Sequence, residues 1–275
     1  MARATAILDA GFHGLTLEEP LHLASWQELL AILPPRVVDA VSLLVPYSKR
    51  VPLKERAGLQ LGLLDSSGRD ELRRQADASI EAADRAQIPR IVVPYVDFSE
   101  ARAEEERRRV LDDYLRTLDD LLSKVDRYSL RVALTPSDLR GEGPGPIELA
   151  IVEEEFRGAS LSLWLDSVRV VPDATPSPSP EAEEETVDDV PPVVVPETCL
   201  EVDGMSIRDR DGERHGTVPG TGDVDWDAID DRVQGAPIWA LDLLETAPLE
   251  VFGPAFEHLQ ALEEGGEEDG GFSLF

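Results

Sequence analysis

A short stretch in the last third of the chain concentrates side chains that commonly bind metal ions. Asp209, Asp211 and His215 fall within seven residues, directly after an apolar run. A glycine turn, Pro219–Asp223, follows, and Val224–Trp226 then marks the start of a helix. Carboxylates and imidazoles are suitable ligands for divalent ions such as Mn²⁺ and Zn²⁺. The stretch therefore has the composition of a metal-binding loop between a strand and a helix.

The same residues also have structural interpretations. Asp209 and Asp211 stand among glycines, and Asp and Gly commonly build turns. Asp225 is placed to act as the N-cap of the following helix. His215 is also compatible with a solvated histidine on a loop.

The elements that must position this loop follow a β-then-α rhythm. Apolar runs predict strands over 4–8, 37–45, 58–64, 91–95, 129–134, 159–165, 199–207 and 237–243. Helical periodicity or start signals predict helices over 20–33, 66–86, 100–124 and 147–156. This alternation is typical of a parallel sheet, and the strand count favours an α/β fold of the (β/α)8 TIM-barrel type. In such barrels chemistry lies on the loops after the C-terminal ends of the strands.

Two segments interrupt the rhythm. Residues 172–196 are rich in Pro, Glu and Asp, and the sequence predicts a disordered insertion between strands six and seven. It acts either as a spacer or as an acidic lid or docking loop. Residues 263–275 form an acidic, glycine-rich tail with an apolar tip, which is either a frayed end or a flexible tether for a protein partner. A single barrel domain is thus expected over residues 1–262.

Composition narrows the function classes. The 275 residues carry a net charge of −30, so the protein as a whole repels nucleic acid, and no nucleic-acid ligand is expected. No apolar run approaches the roughly 20 residues that a membrane helix needs. The first residues make a poor secretory signal, and the one cysteine, Cys199, excludes an internal disulfide. We therefore expect a cytoplasmic protein with no membrane contact.

The loop also carries a family resemblance. Its pattern resembles the seventh β/α unit of the xylose-isomerase-like TIM barrels, the sugar phosphate isomerase/epimerase group related to endonuclease IV. The matching residues are Asp209, His215, Pro219, Gly220, Gly222, Asp225 and Trp226. Ser206 stands where the family usually has a His, and Thr135 stands where strand five usually ends in a Glu.

The resemblance implies a divalent metal, Mn²⁺, Mg²⁺, Zn²⁺ or Co²⁺, at the mouth of the barrel. Its ligands would be Asp166 after strand six, Asp209 and His215 after strand seven, and Asp242 after strand eight. Asp242 and His215 would also be the catalytic groups. Asp166 has a simpler interpretation as a strand-end acid that caps a nearby helix.

Two functions follow from the resemblance. The first is a sugar or sugar-phosphate isomerase/epimerase that acts on a small carbohydrate through a modified metal site. The alternative is a catalytically inactive barrel, a binding or scaffold protein whose insertion and tail contact a partner.

Overall fold

The computed structural model divides into two compact units, Met1–Trp164 with Pro196–Asp203 and Leu165–Val195 with Gly204–Phe275. It describes residues 2–12, 15–17, 27–28, 31, 38–42, 77, 80–81, 83–85, 87–95, 103–135, 146–170, 198–211, 214–226, 236–243 and 247–266. The expectation of one barrel domain over 1–262 stays a prediction, and the segments 172–196 and 267–275 lie outside the described residues.

The first unit is built on parallel strands in sequence order. Its elements are α1 (Ala2–Asp9), β1 (Leu15–Leu17), β2 (Val38–Ser42), β3 (Arg90–Pro94), α2 (Glu104–Val125), β4 (Arg131–Thr135), α3 (Pro146–Glu155) and β5 (Leu161–Asp166), whose last two residues belong to the second unit. Strands β1 to β5 pair as parallel neighbours, with Ile91 opposite Val132 and Val132 opposite Leu161. Every residue of β5 is buried, as expected for a parallel strand that is covered on both faces.

Helix α2 shows why its sequence is helical. Glu104, Glu105 and Glu106 occupy its first turn and Lys124 its last, which is the favourable orientation relative to the helix dipole. The Glu106 carboxylate also accepts a hydrogen bond from the backbone N–H of Ala103 over 3.1 Å. One face is apolar at helical spacing. Its buried residues are Val110, Leu111, Tyr114, Leu118, Leu121, Leu122 and Val125.

The predicted strands and helices from 37–45 onward are confirmed wherever the structure describes them, within a few residues at each end. The predicted strand 58–64 and most of the predicted helix 20–33 lie outside the described residues. The strand predicted over 4–8 is wrong, because Ala2–Asp9 forms a helix and the first strand is Leu15–Leu17. Alanine is the strongest helix former, and a short apolar run does not distinguish a strand from a helix.

The second unit continues the alternation with shorter elements. They are the short helix α4 (Ser167–Val170), the last four residues of β6 (Val202–Ile207), β7 (Asp209–Asp211), β8 (Arg214–Thr217), β9 (Trp239–Leu241) and α5 (Phe252–Gly266). Strands β6 and β9 are parallel, with Ile207 opposite Leu241, whereas β7 and β8 form an antiparallel hairpin. The core of the second unit includes Met205, Ile207, Val224, Trp226, Phe252, Ala255 and Leu259.

Among the helices that the structure describes, none combines the length and the apolar composition needed to cross a bilayer.

Candidate functional site

Three neighbouring strand ends of the second unit bring charged side chains together. Asp166 is the last residue of β5, Arg208 directly follows β6, and Asp242 directly follows β9. The backbone N–H of Asp242 donates to the carbonyl of Ile207 over 2.8 Å, which extends the β6–β9 pairing to the strand ends. The three side chains therefore share the C-terminal edge of the strands, where barrel chemistry is located.

The guanidinium of Arg208 lies between the two carboxylates. Its Nε donates to Oδ1 of Asp166 over 3.1 Å and its Nη2 donates to Oδ2 of the same residue, which makes a two-point contact. Its Nη1 lies 3.6 Å from Oδ2 of Asp242. A planar guanidinium matches a carboxylate in this fork geometry, and such bidentate pairs are among the strongest hydrogen-bonded contacts in proteins.

The three side chains differ in their access to solvent. The exposed fraction is 5% for the Asp166 side chain, 10% for Arg208 and 36% for Asp242. The ion pair between Asp166 and Arg208 is thus buried, while Asp242 presents part of its carboxylate to solvent. Asp242 is the member of the group that a ligand can reach.

Local contacts fix the backbone beneath this group. The hydroxyl of Ser167 donates to the carbonyl of Arg208 over 2.6 Å and accepts from the N–H of Arg208 over 2.9 Å. The N–H of Val168 donates to Oδ1 of Asp166 over 3.3 Å, at the first turn of α4. This contact supports the helix-capping interpretation of Asp166 alongside its ion pair.

Asp209 has a different role from the other predicted ligands. Its side chain is fully buried, and its two carboxylate oxygens accept hydrogen bonds from five N–H groups. Oδ1 accepts from the backbone of Arg210 and Val224 over 2.7 and 3.1 Å. Oδ2 accepts from the backbone of Gly220 and Gly222 over 2.9 and 3.0 Å, and from Nε1 of Trp226 over 3.1 Å. The Asp209 carboxylate therefore organises the glycine loop, as its turn-forming interpretation expected.

The described residues do not fit a divalent ion. Hard ions require several free oxygen ligands, yet both oxygens of Asp166 are bound by Arg208 and both oxygens of Asp209 are bound by N–H groups. Within the described part of the chain, no three His, Cys, Asp or Glu side chains form a group able to hold a metal. The backbone of His215 lies in β8 but its side chain is outside the described part, so the four-ligand site as a whole stays a prediction.

Sequence reasoning missed two residues of this region. A sequence signal for Arg208 does exist, because a basic residue between an apolar strand and an aspartate favours an ion pair with neighbouring strand-end acids. His258 on α5 was also missed, and its ring packs edge-on against Trp226 with centroids 5.9 Å apart. Nothing in the sequence near His258 indicates that it meets the glycine loop, because 38 positions of chain, Gly220 to His258, separate the two.

Comparisons with known proteins identify the fold. The sequence matches no protein-family profile and no curated protein. Its structure is similar to a putative xylose isomerase from Rhodospirillum rubrum, with a TM-score of 0.62, 13% identity and coverage of 95% of this chain and 92% of that chain. It is also similar to the 3-keto-D-glucoside 4-epimerase of E. coli, with a TM-score of 0.59, 15% identity and coverage of 94% and 92%.

A third similar structure is the IolI protein with a bound zinc atom, with a TM-score of 0.53, 13% identity and coverage of 90% and 96%. The chain has the fold of these proteins, the xylose isomerase-like TIM barrel. At these identities the likeness establishes the fold, and the named activities and the zinc belong to those proteins.

Proposed function

We propose that this protein binds a small, uncharged carbohydrate at the C-terminal ends of β5, β6 and β9, in a barrel of the sugar isomerase/epimerase fold. The observation that carries the proposal is the partly exposed carboxylate of Asp242, held beside the buried guanidinium of Arg208. Several structures with this fold carry the names of sugar-processing enzymes, which supports a carbohydrate as the ligand class.

The chemistry of the group suits hydroxyl-rich ligands. A carboxylate accepts hydrogen bonds from sugar hydroxyls, and a guanidinium donates to hydroxyl or carbonyl oxygens. Asp242 and Arg208 therefore offer an acceptor beside a donor at one edge of the sheet.

The charge of the group argues against sugar phosphates. Two carboxylates, Asp166 and Asp242, and one guanidinium, Arg208, leave one net negative charge at the strand ends. The whole chain carries −30. A phosphate group would be repelled by the negative charge of the site and by that of the whole chain. A neutral sugar is therefore favoured within the carbohydrate class.

A second candidate is catalysis of an isomerase or epimerase step by Asp242. Its carboxylate would remove the proton from the carbon next to the sugar carbonyl. Return of the proton to the opposite face of that carbon gives an epimer. Its return to the former carbonyl carbon, while the neighbouring hydroxyl proton passes to the carbonyl oxygen, gives an isomer. The atoms balance without an oxidant or reductant, and an exposed carboxylate is a suitable general base. The partial exposure of Asp242 favours this candidate over a purely structural role for the residue.

The scaffold alternative depends on the acidic insertion at 172–196 and the tail at 263–275. The insertion and residues 267–275 of the tail lie outside the described residues, whereas 263–266 are the last residues of α5. Partner binding through the insertion and the tail therefore stays a prediction.

Ligand binding is tested by thermal melting with a panel of neutral sugars and their phosphate esters. A ligand at about 100 times its Kd stabilises a protein by roughly 2.7 kcal/mol, which shifts the Tm by several degrees. We expect a neutral sugar to stabilise the wild type, and Asp242→Asn to abolish the shift. Asp119→Asn, on the exposed face of α2, is the matched control and should keep it. Absence of any shift across the panel would overturn the proposal.

Catalysis is tested separately by NMR of the bound sugar in D₂O. Proton removal by Asp242 would introduce deuterium next to the carbonyl in the presence of wild-type protein and not with Asp242→Asn. A sugar that binds with neither deuterium uptake nor conversion to a new isomer would identify the barrel as a binding protein.

A further inference from the structure

Asp166 and Asp242 lie at the ends of β5 and β9, on either side of β6, and two carboxylates that share one partly buried site need a cation between them. Like charges near a protein surface repel by several kcal/mol at about 4 Å. Asp166 and Asp242 are both within reach of one guanidinium, at hydrogen-bond distance and at 3.6 Å respectively. The site therefore contains its own positive charge.

We propose that Arg208 is the resident cation of this site. It takes the electrostatic place of a divalent ion between Asp166 and Asp242, and it positions Asp242 for the ligand. The claim that Arg208 positions Asp242 for a ligand rests on the proposed function. The claim that Arg208 takes the place of a metal rests on the ion pairs alone.

The geometry supports a permanent role for the guanidinium. Arg208 is nine-tenths buried, and arginine stays protonated at all physiological pH values. Its contact with Asp166 uses both carboxylate oxygens, which are the atoms that a metal would need. The Ser167 hydroxyl fixes the Arg208 backbone through two hydrogen bonds, so the side chain starts from a defined position.

A metal ion that binds Asp166 would have to displace the guanidinium of Arg208. The guanidinium would then remain at a buried position without its carboxylate partner, and an unpaired buried charge is strongly unfavourable. We therefore expect the folded wild-type protein to be insensitive to divalent ions and to chelators.

The test compares thermal melting of the full-length wild type with Arg208→Ala, Arg208→Lys and a matched control. Each protein is melted with EDTA and with added Mn²⁺, Zn²⁺, Co²⁺ or Mg²⁺, and the metal content of the wild type is measured. Arg116→Gln is the control, because Arg116 forms an exposed pair with Asp113 on α2.

We expect the wild type and Arg116→Gln to contain no stoichiometric metal and to keep the same Tm under all conditions. Removing one partner of a buried pair should lower the Tm of Arg208→Ala by on the order of 10 °C. A divalent ion should restore part of that loss by filling the vacated position, and Asp166→Asn in the Arg208→Ala background should abolish the recovery. Arg208→Lys, which keeps the charge, should lose less than Arg208→Ala.

Three results would overturn the proposal. The first is stoichiometric metal in the wild type together with a fall in its Tm on adding EDTA. The second is an Arg208→Ala variant with the same Tm as the wild type. The third is an Arg208→Ala variant whose Tm is raised by none of the four ions. If Arg208→Ala does not fold, the metal content of the wild type and the Tm of Arg208→Lys still test the proposal. Since none of these readouts involves a sugar, failure of the carbohydrate panel alone would overturn only the proposed function.

Discussion

The indole Nε1–H of Trp226 donates to Oδ2 of Asp209 over 3.1 Å, and both side chains are buried. This bond ties the end of the glycine loop to the first residue of β7. The backbone N–H groups of Gly220, Gly222 and Val224 converge on the same carboxylate. The loop is thus arranged around one internal anion.

Replacing that anion by an amide should destabilise the protein. In Asp209→Asn, the amide NH₂ faces at least two of the N–H groups that the carboxylate now accepts. Each buried donor left without an acceptor costs roughly 1–3 kcal/mol, so we expect a loss of about 3 kcal/mol in the free energy of unfolding, measured in urea. Asp211→Asn, two residues away and exposed, is the control and should stay within about 0.5 kcal/mol of the wild type. Equal stability of the two variants would contradict this role of Asp209.

The glycines of the loop should not tolerate a side chain. Gly220 has φ +80° and a Cβ there would lie 2.6 Å from Cε1 of His258. Gly158 has nearly the same φ, +85°, but open space around its Cβ position. The strain of a left-handed alanine costs about 1–2 kcal/mol at both sites, and the contact with His258 should add roughly another 1–3 kcal/mol at Gly220.

The experiment is a double-mutant cycle on chemical unfolding. Gly220→Ala should be clearly less stable than Gly158→Ala, and His258→Ala should relieve part of the difference in the Gly220→Ala background. The expected coupling is about 1 kcal/mol or more, since the two groups are in direct contact. Additive effects would show that the histidine ring moves away freely.

Much of the fold can be predicted from the sequence because its signals are local. The apolar stripe of α2, at helical spacing, and the fully buried run of β5 identify those elements and their order. The strand predicted over 4–8 is wrong because the signal there is also only local, and this composition permits both a strand and a helix.

The site is less predictable because its contacts join distant positions. Asp166 and Asp242 could be placed at strand ends from the sequence, but the identity of their counterion could not. Arg208 meets Asp166 across 42 positions of chain, and its choice of partner depends on the pairing of β6 with its neighbours. The family pattern predicts a histidine at position 206 and leaves position 208 unspecified, so it does not predict the arginine there.

A third buried carboxylate, that of Asp203, the second residue of β6, should also matter for stability. It accepts from Nη1 of Arg131 over 2.8 Å and from the hydroxyl of Ser162 over 2.9 Å, and Nη1 of Arg90 lies 3.6 Å away. Asp203→Asn removes the carboxylate that the largely buried Arg90 faces and leaves Arg131 with only the exposed Glu201 as a negative partner. We expect a loss of roughly 3 kcal/mol in unfolding free energy. Glu201→Gln removes the exposed partner of Arg131 and should cost less than about 1 kcal/mol. A loss of similar size in both variants would contradict the importance of burial.

Tyr95, directly after β3, provides a test by pH. Its side chain is buried, and its hydroxyl has no hydrogen-bond partner among the residues that the structure describes. Burial raises the pKa of Tyr95 well above its usual range, and the nearby carboxylates of Glu148 and Glu153 raise it further. The folded protein therefore keeps the phenol protonated at pH values where the unfolded chain releases the proton.

The sign of the effect follows from proton binding. The stabilising contribution of the raised pKa is fully present below the unfolded value of about 10 and is lost as the pH rises above it, by at most roughly 1.4 kcal/mol per pH unit. Tyr95→Phe removes this term, so the variant should match the wild type within about 1 kcal/mol at pH 7 and become relatively more stable between about pH 10 and 12. Tyr128→Phe, at a position 39% exposed, is the control for the loss of a tyrosine hydroxyl outside the core. Urea unfolding of the three proteins at pH 7, 10 and 11 measures the difference, and parallel pH profiles for Tyr95→Phe and the wild type would show that Tyr95 ionises as readily in the folded chain as in the unfolded one.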